Sequence, residues 1–161
     1  MARTAGYSAI QIALHWLTAF LIAAAYLVSE GMGDALRLRE QSGATGVEGN
    51  TLHVWLGGAV FAIVAVRLAV RIRFGAPSPA EGTPPLWELA AIWGHRLLYL
   101  LMLAVPLMGA LTWYAGLPLG DAHEVAGNAL MLIAGGHVVM AMLHEALRSD
   151  GTMARMFKPG K

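Results

Sequence analysis

Four long apolar runs separated by polar connections constrain this chain more than any other feature of its 161 residues. They extend from Ile10 to Val28, Leu52 to Val70, Leu89 to Thr112 and Val125 to Leu147. A bilayer core takes roughly 20 mostly apolar residues per helix, and within it only helices and closed barrels satisfy their own backbone. Each run therefore reads as a membrane-spanning helix. Residues are 57% hydrophobic and 13% charged, which excludes a disordered chain. Eleven Lys and Arg against ten Asp and Glu leave a net charge of +1, too balanced for a nucleic-acid partner.

The connections set the topology. Glu30 to Asn50 is Gly-rich and polar, a surface loop with room for one short helix. Arg71 to Pro85 carries Pro77, Pro79, Pro84 and Pro85, which cannot continue a helix. Trp113 to Asp121, with Gly116, Pro118 and Gly120, is a tight turn that makes the third and fourth helices antiparallel neighbours. The expected fold is an all-α membrane protein, a four-transmembrane-helix bundle forming a single domain over residues 1–161. The first run, nineteen residues from Ile10 to Val28, is long for the apolar part of a cleaved leader and is read as a retained span.

Loop cations orient the bundle. Arg3, Arg67, Arg71, Arg73, Arg96, Arg148, Arg155, Lys158 and Lys161 fall on the side of the termini and middle connection, and only Arg37 and Arg39 fall opposite. Both termini are therefore expected in the cytoplasm. Trp16, Trp87 and Trp93 then lie near the inner interface and Trp55, Trp113 and Tyr114 near the outer one, as anchors.

Ionisable side chains inside spans are costly and mark function, so the histidines carry the most information. His15 and His137 lie at similar depth from the side of the termini, and His53 and His123 both lie near the opposite ends of their helices. His123 and His137 are fourteen residues apart. At 100° and 1.5 Å per residue they are about 40° apart on one face and about 21 Å apart along the axis. A fourth helix offering one imidazole to the first helix inside, and another to the second outside, is the arrangement two stacked six-coordinate haems require. Gly127, Ala134 and Ala141 continue the same face, and Gly57 and Gly58 follow His53, so small residues stand where a macrocycle would lie. The alternative use of such residues is close helix packing. With no Cys, disulfides, thiolate-held clusters and covalent haem attachment are excluded. Zinc or copper would gather three or four ligands at one depth rather than separated pairs.

Several short motifs point the same way. Tyr7-Ser8 through Leu14-His15-Trp16-Leu17 opens the first helix, and His53 opens the second with Arg67 and Arg71 closing it. The third carries Gly94-His95, Leu98-Tyr99 and Pro106, and the fourth His123-Glu124 with His137. On these residues, over nearly the whole length, the chain resembles the bacterial cytochrome b561 family of four-helix di-haem b proteins. The resemblance implies two non-covalent b haems, an inner one on His15 and His137 and an outer one on His53 and His123. It also implies a multi-pass protein of the bacterial inner membrane, in contact with lipid, transferring electrons between a periplasmic donor and ubiquinone or another quinone. Some family members resemble superoxide oxidases, so the donor is expected to be superoxide or a redox protein. The alternative is a haem b membrane-anchor subunit of a larger dehydrogenase or hydrogenase-like complex. The connection between the third and fourth helices is shorter than in better-known members, so donor specificity does not carry over from it.

The remaining polar residues fill out the expected site. His144, one heptad past His137, is a quinone candidate, because quinone reduction takes up protons and histidine titrates near neutral pH. His95, expected at the start of the third helix, is a second quinone candidate or a partner for a haem propionate. Arg67 is expected either to pair with an inner propionate or to snorkel to the interface. Gln11 is expected beside His15 or at the interface, and Asp121 and Glu124 at the N-terminus of the fourth helix. Bis-His ligation leaves no open iron position, so no catalytic side chain is assigned.

Overall fold

The computed structural model describes residues 6–77, 83–148 and 151–160. Among them the regular elements are α1 (Ala9–Leu27), α2 (Met32–Ser42), α3 (Leu52–Phe74), α4 (Pro85–Ala115), α5 (Gly120–Arg148) and a 3₁₀ turn at Ala154–Met156. Four of these, α1, α3, α4 and α5, are long and apolar enough to cross a membrane. The short helix allowed for in the first connection is α2.

Local signals explain the boundaries. Ser8 caps α1 by accepting from the Gln11 N–H (3.3 Å), while its own N–H donates to Gln11 Oε1 (3.0 Å). This reciprocal box satisfies two donors that the helix start leaves unpaired. Gln11 also donates to the Gly75 carbonyl (2.9 Å), so it joins two helix ends rather than His15. Thr51 caps α3 through the Val54 N–H. Pro84 and Pro85 occupy the N-cap and first position of α4, where a missing N–H costs nothing, so this helix begins before its apolar run. His95 consequently lies inside α4 and not at its start. Gly116, at φ 65°, ends α4 in the left-handed conformation, and only residues 116–119 separate α4 from α5. That shortness makes the two helices packed neighbours, as expected.

Close packing follows the order α1, α3, α4, α5. The core between them is Val60 and Val64 of α3, Leu98 and Met102 of α4, and Leu130 of α5. Thr18 is also buried, and its hydroxyl donates to the Leu14 carbonyl (2.6 Å), the satisfaction that a polar group in a span requires. Large apolar side chains such as Phe20, Leu100, Val125 and Leu132 face outward, as they do when lipid is the solvent.

The side away from the termini is closed by α2 and the segment after it. Arg39 is only 5% exposed. Its Nε donates to the Trp113 carbonyl (2.9 Å), Nη1 to the Glu48 carbonyl (2.7 Å) and Nη2 to the Gly46 carbonyl (2.7 Å). Its guanidinium also lies 4.9 Å from the Trp113 ring centre. Trp113, expected as an interfacial anchor, is instead 6% exposed, with Nε1 donating to Asn50 Oδ1 (2.8 Å). The reason is the buried arginine, which draws the ring and carbonyl of Trp113 under the loop. On the terminal side, Trp16 Nε1 donates to the Met156 carbonyl (2.8 Å) and Gly160 N–H to the Tyr7 carbonyl (3.0 Å), folding the tail across the start of α1.

Arg39→Met is expected to destabilise the far-side cap by about 2–4 kcal/mol, since three carbonyls lose a charged donor. Arg39→Lys is not expected to rescue it, because an ammonium lacks the fork that reaches three acceptors. Thermal unfolding of the detergent-solubilised protein, followed by near-UV circular dichroism, checks both.

Candidate functional site

The paired histidines sit on helices that do not pack closely on each other. Residues of α5 face α1 and α3 across the bundle, yet α5 is held mainly through α4. On the terminal side, His15 of α1 and His137 of α5 have ring centres 6.5 Å apart and planes inclined at 60°. On the far side, His53 of α3 and His123 of α5 have centres 5.9 Å apart and planes at 88°. Two imidazole nitrogens at about 2 Å from one metal ion, each about 1 Å from its ring centre, put the centres ~6 Å apart. The 6.5 and 5.9 Å separations both lie close to that figure.

The far-side pair is anchored to main chain. His53 Nδ1 donates to the Ala25 carbonyl (2.8 Å), and His123 Nδ1 donates to the Val105 carbonyl (2.8 Å). A carbonyl only accepts, so each ring carries its proton on Nδ1 and offers the Nε2 lone pair. The Ala25 carbonyl is available because α1 is ending, and the Ser29 N–H turns back to Tyr26 (3.2 Å). The His123 ring also needs Gly109. A Cβ there would come 2.9 Å from His123 Cε1. Neither Gly109 nor the two carbonyls figured among the expected site residues. Gly109 was within reach as a glycine three residues past Pro106, whereas main-chain acceptors carry no side-chain signature.

The terminal-side pair has different neighbours. His15 Nδ1 accepts from Arg67 Nη2 (2.8 Å), and the Arg67 guanidinium lies 5.5 Å from the Tyr99 ring centre. Arg67 is thus turned toward His15 and does not snorkel outward. His95 has its ring 5.1 Å from His137, edge to face, and its Nδ1 donates to the Ala91 carbonyl (2.6 Å). His144 lies against Trp87 of α4, ring centres 5.2 Å apart. His15, His95 and His137 gather three imidazoles, yet among the described residues no group of three His, Cys, Asp or Glu is placed to hold a metal ion.

Open space surrounds several of the small residues near these rings. A Cβ added at Gly57, Gly58, Gly135 or Gly136 meets nothing within 4 Å, so these glycines do not serve tight helix crossings. At Gly127 it would reach ordinary contact with Val105 Cγ1 (3.9 Å).

Four helices long and apolar enough to cross a membrane, with one imidazole pair toward each end of the bundle, define a helical membrane protein with two paired-histidine sites. Residues 6–159 match the prokaryotic cytochrome b561 family, and the chain belongs to it. It is 37% identical to cytochrome b562 of Cereibacter sphaeroides, with 99% of each chain covered. It is 26% identical to the probable superoxide oxidase CybB of Yersinia pestis, over 93% of this chain and 94% of that one. It is 27% identical to cytochrome b561 homolog 1 of Escherichia coli K12, over 93% and 96%. Membership implies haem b as the bound group and electron transfer as its use.

Gly109→Val is expected to displace the His123 ring and lower haem b per chain. Ala110→Val, on the exposed side of the same helix, is expected to leave it unchanged. Pyridine haemochrome quantification on purified protein checks this.

Proposed function

We propose that the chain holds two b haems, one between His15 and His137 and one between His53 and His123, and conducts electrons across the bacterial inner membrane. The observation that carries this reading is the pair of facing imidazoles on each side of the bundle, at ring separations of 6.5 and 5.9 Å. Haem, when bound, supplies one-electron oxidation and reduction. With His15, His137, His53 and His123 holding the haems, electrons would be exchanged with substrates at the haem edges and not at iron. Ala25 and Val105 hold the far-side rings in the tautomer that ligates.

Both termini lie in the cytoplasm on this reading. The loop cations support it, and more strongly once Arg39 is recognised as buried, because Arg37, paired with Asp34, is then the remaining far-side cation. The far side is therefore periplasmic and receives the donor. Quinone reacts at the terminal side, where His95 lies against His137 and His144 lies against Trp87 one heptad further along α5. His144 supplies or relays a proton to the reduced quinone. Arg67, already turned into the site, pairs with an inner haem propionate.

Superoxide is the donor favoured by the relative named a probable superoxide oxidase. The four-residue connection at 116–119 favours a second reading, in which the donor is a redox protein and the chain is the haem b membrane anchor of a larger complex.

Reduced-minus-oxidised spectra with pyridine haemochrome quantification test the ligand pairs. Wild type is expected to carry two b haems, and His53→Ala and His137→Ala one or fewer. A full complement of two in either variant overturns the pairing. Purified protein is expected to reduce ubiquinone with superoxide alone, and His144→Ala to slow this at least tenfold with both haems retained. No superoxide activity, with stable co-purification of a redox subunit, selects the second reading.

A further inference from the structure

We infer that residues 151–160 form a re-entrant hook seated in the terminal-side leaflet, with anionic phospholipid headgroups as its partner. The depth of its contacts carries the argument. His15 and His137 face each other and so mark one level on α1 and α5. α1 begins six residues from that level and α5 ends eleven residues from it, about 9 and about 16 Å at 1.5 Å per residue. The chain therefore leaves α5 about 7 Å farther out than α1 begins.

Hydrogen bonds then bring it back. The Met153 N–H donates to Glu145 Oε2 (3.0 Å) near the end of α5, the Met156 carbonyl accepts from Trp16 Nε1 (2.8 Å), and the Gly160 N–H donates to the Tyr7 carbonyl (3.0 Å). Trp16 belongs to the second turn of α1, whereas Tyr7 precedes the helix. The segment thus descends from α5 to the second turn of α1 and climbs out again, with the 3₁₀ turn at Ala154–Met156 near its lowest point.

Phe157 follows that turn. It is 60% exposed, and its ring centre lies 5.2 Å from that of Trp16, itself 43% exposed. Two aromatic faces side by side, below the start of a spanning helix, stand at the boundary of headgroups and acyl chains, where an exposed ring meets lipid. Arg155 and Lys158 flank Phe157, and residues 151–160 include no acid. The ring faces acyl chains while the long cationic side chains reach up to the phosphates. Phosphatidylcholine offers these cations no net charge to neutralise, and phosphatidylglycerol does. Each cation at a membrane surface raises affinity for anionic lipid by about fivefold. Because the hook runs between α5 and α1, which do not pack closely on each other, lipid held on it also fastens those two helix ends.

The chain has no cysteine, so Phe157→Cys creates a single labelling site at the hook. The full-length protein, labelled there with bimane, is reconstituted in vesicles of mixed phosphatidylcholine and phosphatidylglycerol. A nitroxide quencher is carried on the acyl chain of one lipid or the other at equal total concentration. Quenching is expected from both lipids, about threefold stronger when phosphatidylglycerol carries the nitroxide. Arg155→Gln combined with Lys158→Gln is expected to abolish the excess. Equal quenching by the two lipids, or an excess that survives the double substitution, overturns the choice of an anionic partner. Quenching by aqueous iodide and not by lipid places the hook in water and overturns its seating. Quenching by neither shows it covered by protein, such as a second copy of the chain, and overturns it too. Ala154→Cys, on the same turn, gives the same readings if Phe157→Cys does not fold.

Discussion

An imidazole inside a bilayer has no water to bond, and this constraint governs the arrangement of α1, α3, α4 and α5. Each ring must find a partner on its own or a neighbouring helix, and that partner decides which nitrogen carries the proton. His53 and His123 find main-chain carbonyls, of Ala25 at the fading end of α1 and of Val105 in α4. These bonds run between helices, so they fix helix register as well as ring orientation. Gly109 completes the far side by leaving room for the His123 ring against α4.

The two ends of the bundle consequently differ in kind. Neutral, fixed acceptors hold the far-side pair. The terminal-side pair instead has side chains as neighbours, Arg67 on His15 and His95 against His137, with His144 one heptad further along α5 beside Trp87. A rigid neutral shell suits a site whose work is electron passage alone. In the proposed function, histidines and the Arg67 cation at the terminal side suit an end where a quinone takes up electrons together with protons.

Covers at both ends protect this interior. Arg39 draws three carbonyls and the Trp113 ring into a single cap on the far side, and the folded-back tail holds Trp16 and Tyr7 on the other. Neither cover contributes a histidine to the pairs. Their effect is to hold helix ends in place, so that rings on helices lacking close mutual packing still meet across the bundle.

Much of the plan was legible along the chain. Apolar run length dictates four spans, the tight turn at 116–119 dictates that α4 and α5 are neighbours, and comparing depths matches His15 with His137 and His53 with His123, because helical rise is uniform. Family membership was equally readable from motifs, since their residue types and spacing survive without any contact information. What the tertiary structure alone decided is each ring's partner. Arg67 was readable as a propionate partner or a snorkelling cation but not as the donor to His15, and Trp113 as an anchor but not as the floor beneath Arg39. Main-chain carbonyls look alike at every residue, and a long cation reaches several places from one position. Only the packed helices choose among them, and here that choice made the two sites chemically unequal.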